Sequence, residues 1–273
     1  VIDFIKNSEG NTKYKVYAMV APSIASQFKY AKNGQVITGL RKLGFDKIIE
    51  TALGADMVAL AESRELAQKG FLTSSCCPAF VRYINSAFPN LKEFVSHNPS
   101  PMALLGKVIK EKDPSAKVIF IGPCTAKKAE AQLESVKPWV DCVLTFEELQ
   151  ALFDSRDIDI TLLEESGLDD ASCYGRIFAR SGGLSEAVVQ ALAEQNIDFE
   201  VKPVVCDGIE ACRMALLKKN KNILEGNFIE GMACIGGCIG GAGCLTHGEK
   251  NKTEVDKYGH EAKDKKISDA VNN

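Results

Sequence analysis

Cys234 and Cys238 stand four apart in the run EGMACIGGCIGGAGC, residues 230–244. Thiolates hold soft metals and iron–sulfur clusters. The surrounding glycines let backbone amides come close to a cluster's sulfurs. Alone, such a pair suits zinc, a disulfide or two buried thiols equally well. Two other stretches look built for the same object: the adjacent Cys76 and Cys77 in TSSCCPAF, and Cys124 in IGPCTAKKAE. Ten cysteines in 273 residues are too dilute for a disulfide scaffold, and adjacent cysteines fit such a framework poorly. His97, His247 and His260 form no metal-binding spacing, so zinc would need an all-cysteine site. Metal-bound thiolates in a reducing cytosol are the favoured reading.

The remaining composition narrows the function classes. Net charge is −3 and no basic stripe is visible, which argues against nucleic acid as a partner. No apolar run approaches the ~20 residues of a membrane span, and no signal peptide is visible. The chain begins with Val, which leaves room for an upstream domain or targeting segment.

The elements that must position the cysteines alternate between strand and helix. Strands are expected over 15–22, 46–51, 117–123, 142–146, 201–206 and 227–233. Helices are expected over 23–44, 55–70, from Pro78, over 126–136, 147–155, 184–195 and 208–219. This predicts an α/β fold with mainly parallel sheets. Ligands of such folds bind beyond the C-terminal strand ends, and Cys77, Cys124 and Cys234 each follow an apolar strand there. The expected partition is a cofactor-binding domain over 1–246, with lobes of 1–112 plus 207–246 and of 113–206. A polar tail, a solvated helix or frayed end, is expected over 247–273.

Together these stretches resemble the catalytic domain of [FeFe]-hydrogenases. That family's motifs T-S-C-C-P-G-W, M-P-C-x-x-K-x-x-E and E-x-M-x-C-x-x-x-C followed by glycines are matched by TSSCCPAF, GPCTAKKAE and EGMACIGGCIGGAG. The segments ADMVALAESREL, IFARSGGLSEA and GIEACR add weaker similarity in the expected order.

The resemblance implies two lobes with an H-cluster buried between them. Cys77, Cys124, Cys234 and Cys238 would hold a [4Fe-4S] cluster, and Cys238 would bridge to a diiron subcluster carrying CO, cyanide and an azadithiolate. The implied reaction is reversible H2 oxidation and proton reduction. Cys76 matches the proton-delivering thiol, and Lys127 the residue that donates to a cyanide. Ala21, Pro22 and Ser23 match a segment contacting the distal cyanide, while Phe178 and Met232 match residues shaping the diiron pocket. Glu62, Ser96 and Glu65 match the proton path to the surface. Implied partners are a ferredoxin-like electron carrier, maturation proteins and, for a sensor, a signalling partner.

Plainer roles stand beside each of these. The metal-site cysteines could hold zinc, Cys76 could be an inert thiol, and Lys128 could be the equal of Lys127. Glu62, Glu65 and Ser96 could form a solvated face with a cap, and Ser23 could cap a turn. Cys142, Cys173, Cys206 and Cys212 read as core thiols. Cys244 reads as structural, or as a redox-responsive thiol.

The chain departs from the family around the diiron pocket. Gly122 stands where Met is usual, Ala79-Phe80 replaces Gly-Trp, SPM at 100–102 lacks a Gln, and Cys244 follows the glycines where Gln-Pro is common. These departures resemble the more divergent, sensory type of hydrogenase, so an H2-sensing protein is the first alternative. A non-hydrogenase iron–sulfur protein of the same family is the second.

Overall fold

A computed structural model describes residues 1–248 and 250–272. Glu249 and Asn273, both in the expected tail, lie outside the described residues. After helix α1 (Ile2–Asn7), strand β1 (Val16–Val20) is buried along its whole length, as a central parallel strand covered on both faces must be. Helix α2 (Asn33–Leu43) returns to β2 (Lys47–Glu50), which pairs parallel to β1. The long helix α3 (Thr51–Lys69) then leaves this sheet and leads to β3 (Leu72–Thr73) of another. Helices α4 (Pro78–Ala87) and α5 (Pro101–Lys112) follow, each opened by a proline in its first turn.

The chain re-enters the first sheet with β4 (Lys117–Gly122), α6 (Ala126–Glu130), β5 (Cys142–Thr145) and α7 (Phe146–Ser155). Its strand order is β2-β1-β4-β5, all parallel. Helices α8 (Cys173–Ile177) and α9 (Gly183–Glu194) lead back to β6 (Pro203–Asp207), α10 (Ile209–Asn220) and β7 (Phe228–Met232). These complete the second parallel sheet, β3-β7-β6. Helices α11 (Lys250–His260) and α12 (Ile267–Asn272) end the described chain. The α/β expectation holds, with parallel sheets flanked by helices.

Four expectations are corrected. The partition into 1–112 plus 207–246 and 113–206 does not follow the sheets. Val16 pairs with Lys117 across β1 and β4, and Pro203 with Phe228 across β6 and β7. The chain changes sheet three times, through α3, between β3 and β4, and between β5 and β6.

The helix expected over 23–44 is a short 3-10 turn, Pro22–Ser26, followed by irregular chain and then α2. Local propensity yields there to tertiary contacts. Phe28 packs edge-on against Phe146 and Phe153, and the Gln27 side-chain oxygen accepts from Leu245 N at 2.8 Å. The helix expected over 126–136 stops at Glu130, where i→i+3 bonds take over: Leu133 N donates to Glu130 O at 3.0 Å and Val136 N to Leu133 O at 2.9 Å.

Where described, the tail is docked, not frayed. Val255 and Ile267 are fully buried. The Glu194 carboxylate accepts from the first amides of α12, Ile267 N at 3.0 Å and Ser268 N at 2.8 Å.

Candidate metal centre

Parallel strands from both sheets end on one cavity. β1 delivers Ala21, Pro22 and Ser23; β3 delivers Cys76 and Cys77; β4 delivers Pro123 and Cys124; β7 delivers Ala233 and Cys234. About 780 Å³ not filled by protein atoms, open solvent at its mouth included, adjoins them. Cys238, in the 3-10 turn Cys238–Gly240, reaches the same space. Residues separated by most of the chain thus converge because parallel strands all point one way.

The glycines of the last motif set its path. Gly236 and Gly237 take φ of 82° and 85°, a left-handed conformation that side chains rarely adopt. A Cβ on Gly241 would lie 2.5 Å from Pro123 O, so this loop lies directly against the chain carrying Cys124. Cys244 is buried outside the cavity and donates to the carbonyls of Ile239 at 3.5 Å and Cys238 at 3.7 Å. These contacts join it to the turn Cys238–Gly240.

The donor set can be tested against a multi-iron group. Cys77, Cys124, Cys234 and Cys238 all line the cavity. Yet among the described residues no three His, Cys, Asp or Glu side chains cluster closely enough to hold one metal ion. Four soft ligands spread around one space fit a cluster better than a single zinc. Burial pushes the Cys238 thiol well up, with the neighbouring Cys124 and Cys77 adding to the rise. Burial raises the Cys124 thiol too, against the opposing Lys127.

Cys76 also lines the cavity and is buried. Burial, then the carboxylate of Glu62, pushes its thiol well up. Lys127 sits on α6, next to the Cys124 loop. Its Nζ donates to Cys76 O at 3.1 Å and to Glu130 Oε2 at 2.6 Å. Burial would lower the Lys127 pKa, but Glu130 more than offsets this, and the ammonium persists in an apolar wall. Lys128 is not its equivalent, since its side chain is 41% exposed and pairs with Glu148 outside the cavity.

Behind Cys76, α3 places Glu62 and Glu65 one turn apart. Glu62 is fully buried, and neither carboxylate oxygen has a hydrogen-bond partner. Burial pushes its pKa to about 8, although Ser96 and the Ser75 backbone lie close enough to oppose the rise. Glu65 accepts from Ser96 Oγ at 3.1 Å, Asn98 Nδ2 at 2.8 Å and Lys69 Nζ at 2.8 Å. Burial alone would raise its pKa; Lys69 and the His97 amide bring it below the ordinary value. His97, 3.1 Å from Glu65, has a side chain 77% exposed. Glu62 is thus fully buried and Glu65 largely so, unlike the solvated face that was the alternative.

The other expected residues fall into two groups. Ala21, Pro22, Ser23, Phe178 and Met232 all line the cavity. Ser23 does not cap its turn; its buried hydroxyl is unpartnered. Gly122 and Phe80 are absent from the wall. A Cβ on Gly122 would lie 2.6 Å from the Phe120 ring, and Phe80 packs on Gly231, where a Cβ would meet its ring at 2.1 Å. Pro101 and Met102, of the segment expected around the pocket, line it. Phe120, which also lines the cavity, was not foreseen; nor were Thr51, Ala55 and Ala179. For Thr51 a signal existed, because it follows β2 as Cys124 follows β4.

Comparison with known proteins gives a consistent result. The family profile "Iron only hydrogenase large subunit, C-terminal domain" matches residues 14–242. "Iron hydrogenase 1" of Clostridium pasteurianum is 29% identical over 313 residues, covering 93% of this chain but only 54% of that protein. "Cytosolic Fe-S cluster assembly factor NAR1" of Eremothecium gossypii is 23% identical, covering 83% of this chain and 65% of that protein. The solved [FeFe]-hydrogenase HydA1 from Chlamydomonas reinhardtii shares the fold, with a TM-score of 0.79 at 20% identity over 97% of this chain and 88% of that one. No helix among the described residues is long and apolar enough to cross a membrane.

Proposed function

Because this chain belongs to the family formed by the C-terminal domains of iron-only hydrogenase large subunits, we propose that it is an [FeFe]-hydrogenase interconverting H2 with protons and electrons. Cys77, Cys124, Cys234 and Cys238 are the residues that would hold a [4Fe-4S] cluster. The linked diiron subcluster, with CO, cyanide and azadithiolate ligands, supplies the hydrogen chemistry when bound. Cys76 holds and passes a proton at its Sγ, and Glu62, Ser96 and Glu65 carry it to the surface. The Lys127 ammonium donates to an anionic ligand, an interaction strengthened by the apolar wall. Phe178 and Met232 exclude water, and Ala21, Pro22 and Ser23 close another part of the wall. Electrons come from a ferredoxin-like carrier, and dedicated maturation proteins load the diiron unit. A cytoplasmic setting keeps the thiols reduced.

The observation that carries this reading is the meeting of Cys76, Lys127 and four further cysteines on one cavity, with Glu62 behind Cys76. Infrared spectroscopy of the matured protein tests it, since CO and cyanide bands are expected. Their absence would favour the second reading, an iron–sulfur protein without a diiron unit, for which the similarity to an assembly factor speaks. The third, an H2 sensor acting on a signalling partner, draws on Phe120 occupying the space beside Gly122. It requires slow turnover with a reduced dye.

A further inference from the structure

The start of α3 is held with unusual completeness. Glu50, immediately before it, accepts from Arg176 Nε at 2.8 Å and Arg176 Nη2 at 2.9 Å, from Asp170 N at 2.9 Å, and from the Tyr258 hydroxyl. The Glu50 amide in turn donates to Asp170 Oδ2 at 3.0 Å. The backbone of the next residue is therefore fixed on its N-terminal side.

That residue is Thr51. It is 5% exposed, lines the cavity, and its hydroxyl has no hydrogen-bond partner. Ala55, one turn along, lines the cavity too, so this face of α3 forms part of the wall. The side chains that share the wall include Pro101, Met102 and Phe178, none of which can accept or donate a strong hydrogen bond. A buried hydroxyl left without a partner beside such residues is unfavourable unless whatever fills the cavity supplies one. A valine would fill the same volume without that cost.

We infer that Thr51 is a cofactor-binding residue, its hydroxyl donating a hydrogen bond to an acceptor on the small inorganic ligands of the group in the cavity. The inference rests on the proposed diiron-bearing site. It adds a donor on a wall element, α3, that also carries Glu62 and Glu65. Ser23 offers a second unpartnered hydroxyl, so the two donors stand on separate elements, one beyond β1 and one beyond β2.

The test compares the full chain with Thr51→Val and Thr51→Ser, each before and after maturation with the diiron unit. Thr51→Val is near-isosteric, and its apoprotein is expected to melt no lower than the parent. In matured protein it is expected to shift at least one CO or cyanide stretching band. It should also lose the diiron unit about fivefold to tenfold faster during chelator challenge, the worth of one hydrogen bond. Thr51→Ser should restore both. Bands and retention unchanged in Thr51→Val would overturn the inference alone, as would an apoprotein clearly less stable than the parent, which would mean that the hydroxyl serves the fold. A matured parent without CO or cyanide bands would overturn the underlying reading and this inference with it.

Discussion

Buried acids stand around the start of helix α3 and again in its second half, and the two regions treat them in opposite ways. At its start, Glu50 is engaged by Arg176, Tyr258 and Asp170, and Asp56 accepts from Ser172 N at 2.8 Å and Ser172 Oγ at 2.6 Å. Three turns on, Glu62 is equally buried and has no partner. Buried polar groups in folded proteins are nearly always satisfied. The first region follows that rule and anchors α3, α8 and α11 to one another. The second breaks it beside a candidate proton-handling thiol, where an acid that can gain and lose a proton near neutral pH is useful. The contrast separates acids that hold the fold from one that the fold tolerates.

The strongest way to break this comparison is to remove the partner in the satisfied region. Arg176 is 2% exposed, contacts Glu50 with two nitrogens, and stacks on Tyr258 at 4.2 Å. Arg176→Met leaves the Glu50 charge buried and uncompensated. The expected loss is about 3–5 kcal/mol, read from urea unfolding. A loss below about 1 kcal/mol would mean that α11 does not depend on this network.

Removing the acid in the unsatisfied region should have the opposite sign. Below pH 4.5, the ordinary value for a glutamate, Glu62 is protonated in folded and unfolded chains alike and imposes no penalty. As pH rises from 4.5 towards about 8, the unfolded chain releases the proton while the folded chain keeps it. Stability falls by up to about 1.4 kcal/mol per pH unit over that window. Glu62→Gln abolishes the term, so the variant should gain up to about 3 kcal/mol at pH 7 and nothing at pH 4. Under the proposed function, hydrogen turnover should collapse as well, because an amide cannot relay the proton. Equal pH dependence in parent and variant would show that Glu62 has a partner after all.

The difference between these two regions also marks how far the sequence could be read. The cysteines were legible because thiols are chemically specific, and strand ends are visible as apolar runs stopping at Pro, Gly or Cys. Glu62 and Glu65 were legible only through a family pattern. Nothing in ADMVALAESREL says which acid is buried, and α3 has apolar or small residues on several sides. The Glu50–Arg176–Tyr258 network joins positions 50, 176 and 258 and was invisible, because ion pairs between remote residues leave no periodicity. The same cause hid the docked tail. Its polar composition suggested solvent, whereas Val255, Tyr258 and Ile267 were enough to seat it. The lobe boundaries failed because strand order is a property of pairing, not of sequence.

Asp56 sharpens the comparison from between the two extremes. It is fully buried, and burial pushes its pKa to about 7 even though Ser172 opposes the rise with two hydrogen bonds. Asp56→Asn removes the ionisation cost but cannot accept equally on both side-chain atoms. The two effects oppose each other, so a net change within about 1–2 kcal/mol is expected at pH 7. The pH profile is the more telling measurement: the parent's decline in stability between pH 3.8 and about 7 should flatten in the variant. A variant as damaging as Arg176→Met would move Asp56 wholly into the anchoring region.

The smallest effect belongs to the surface end of the same helix. Lys69 pairs with Glu65 at 2.8 Å and has a side chain 31% exposed, so water and salt screen much of the attraction. Lys69→Met is expected to cost about 0.5 kcal/mol or less at low ionic strength, and nothing measurable at about 1 M salt. Lys69 helps to hold the Glu65 pKa below its ordinary value, so removing it should let that pKa rise. Turnover limited by proton exit should then change at the acid edge of its pH profile and hold its plateau. Because Glu65 keeps its bonds from Ser96, Asn98 and the His97 amide, the carboxylate stays in place while its charge state becomes easier to change. A plateau that falls with Lys69 would make this lysine part of the proton exit itself, and would extend the function-bearing region of α3 to the surface.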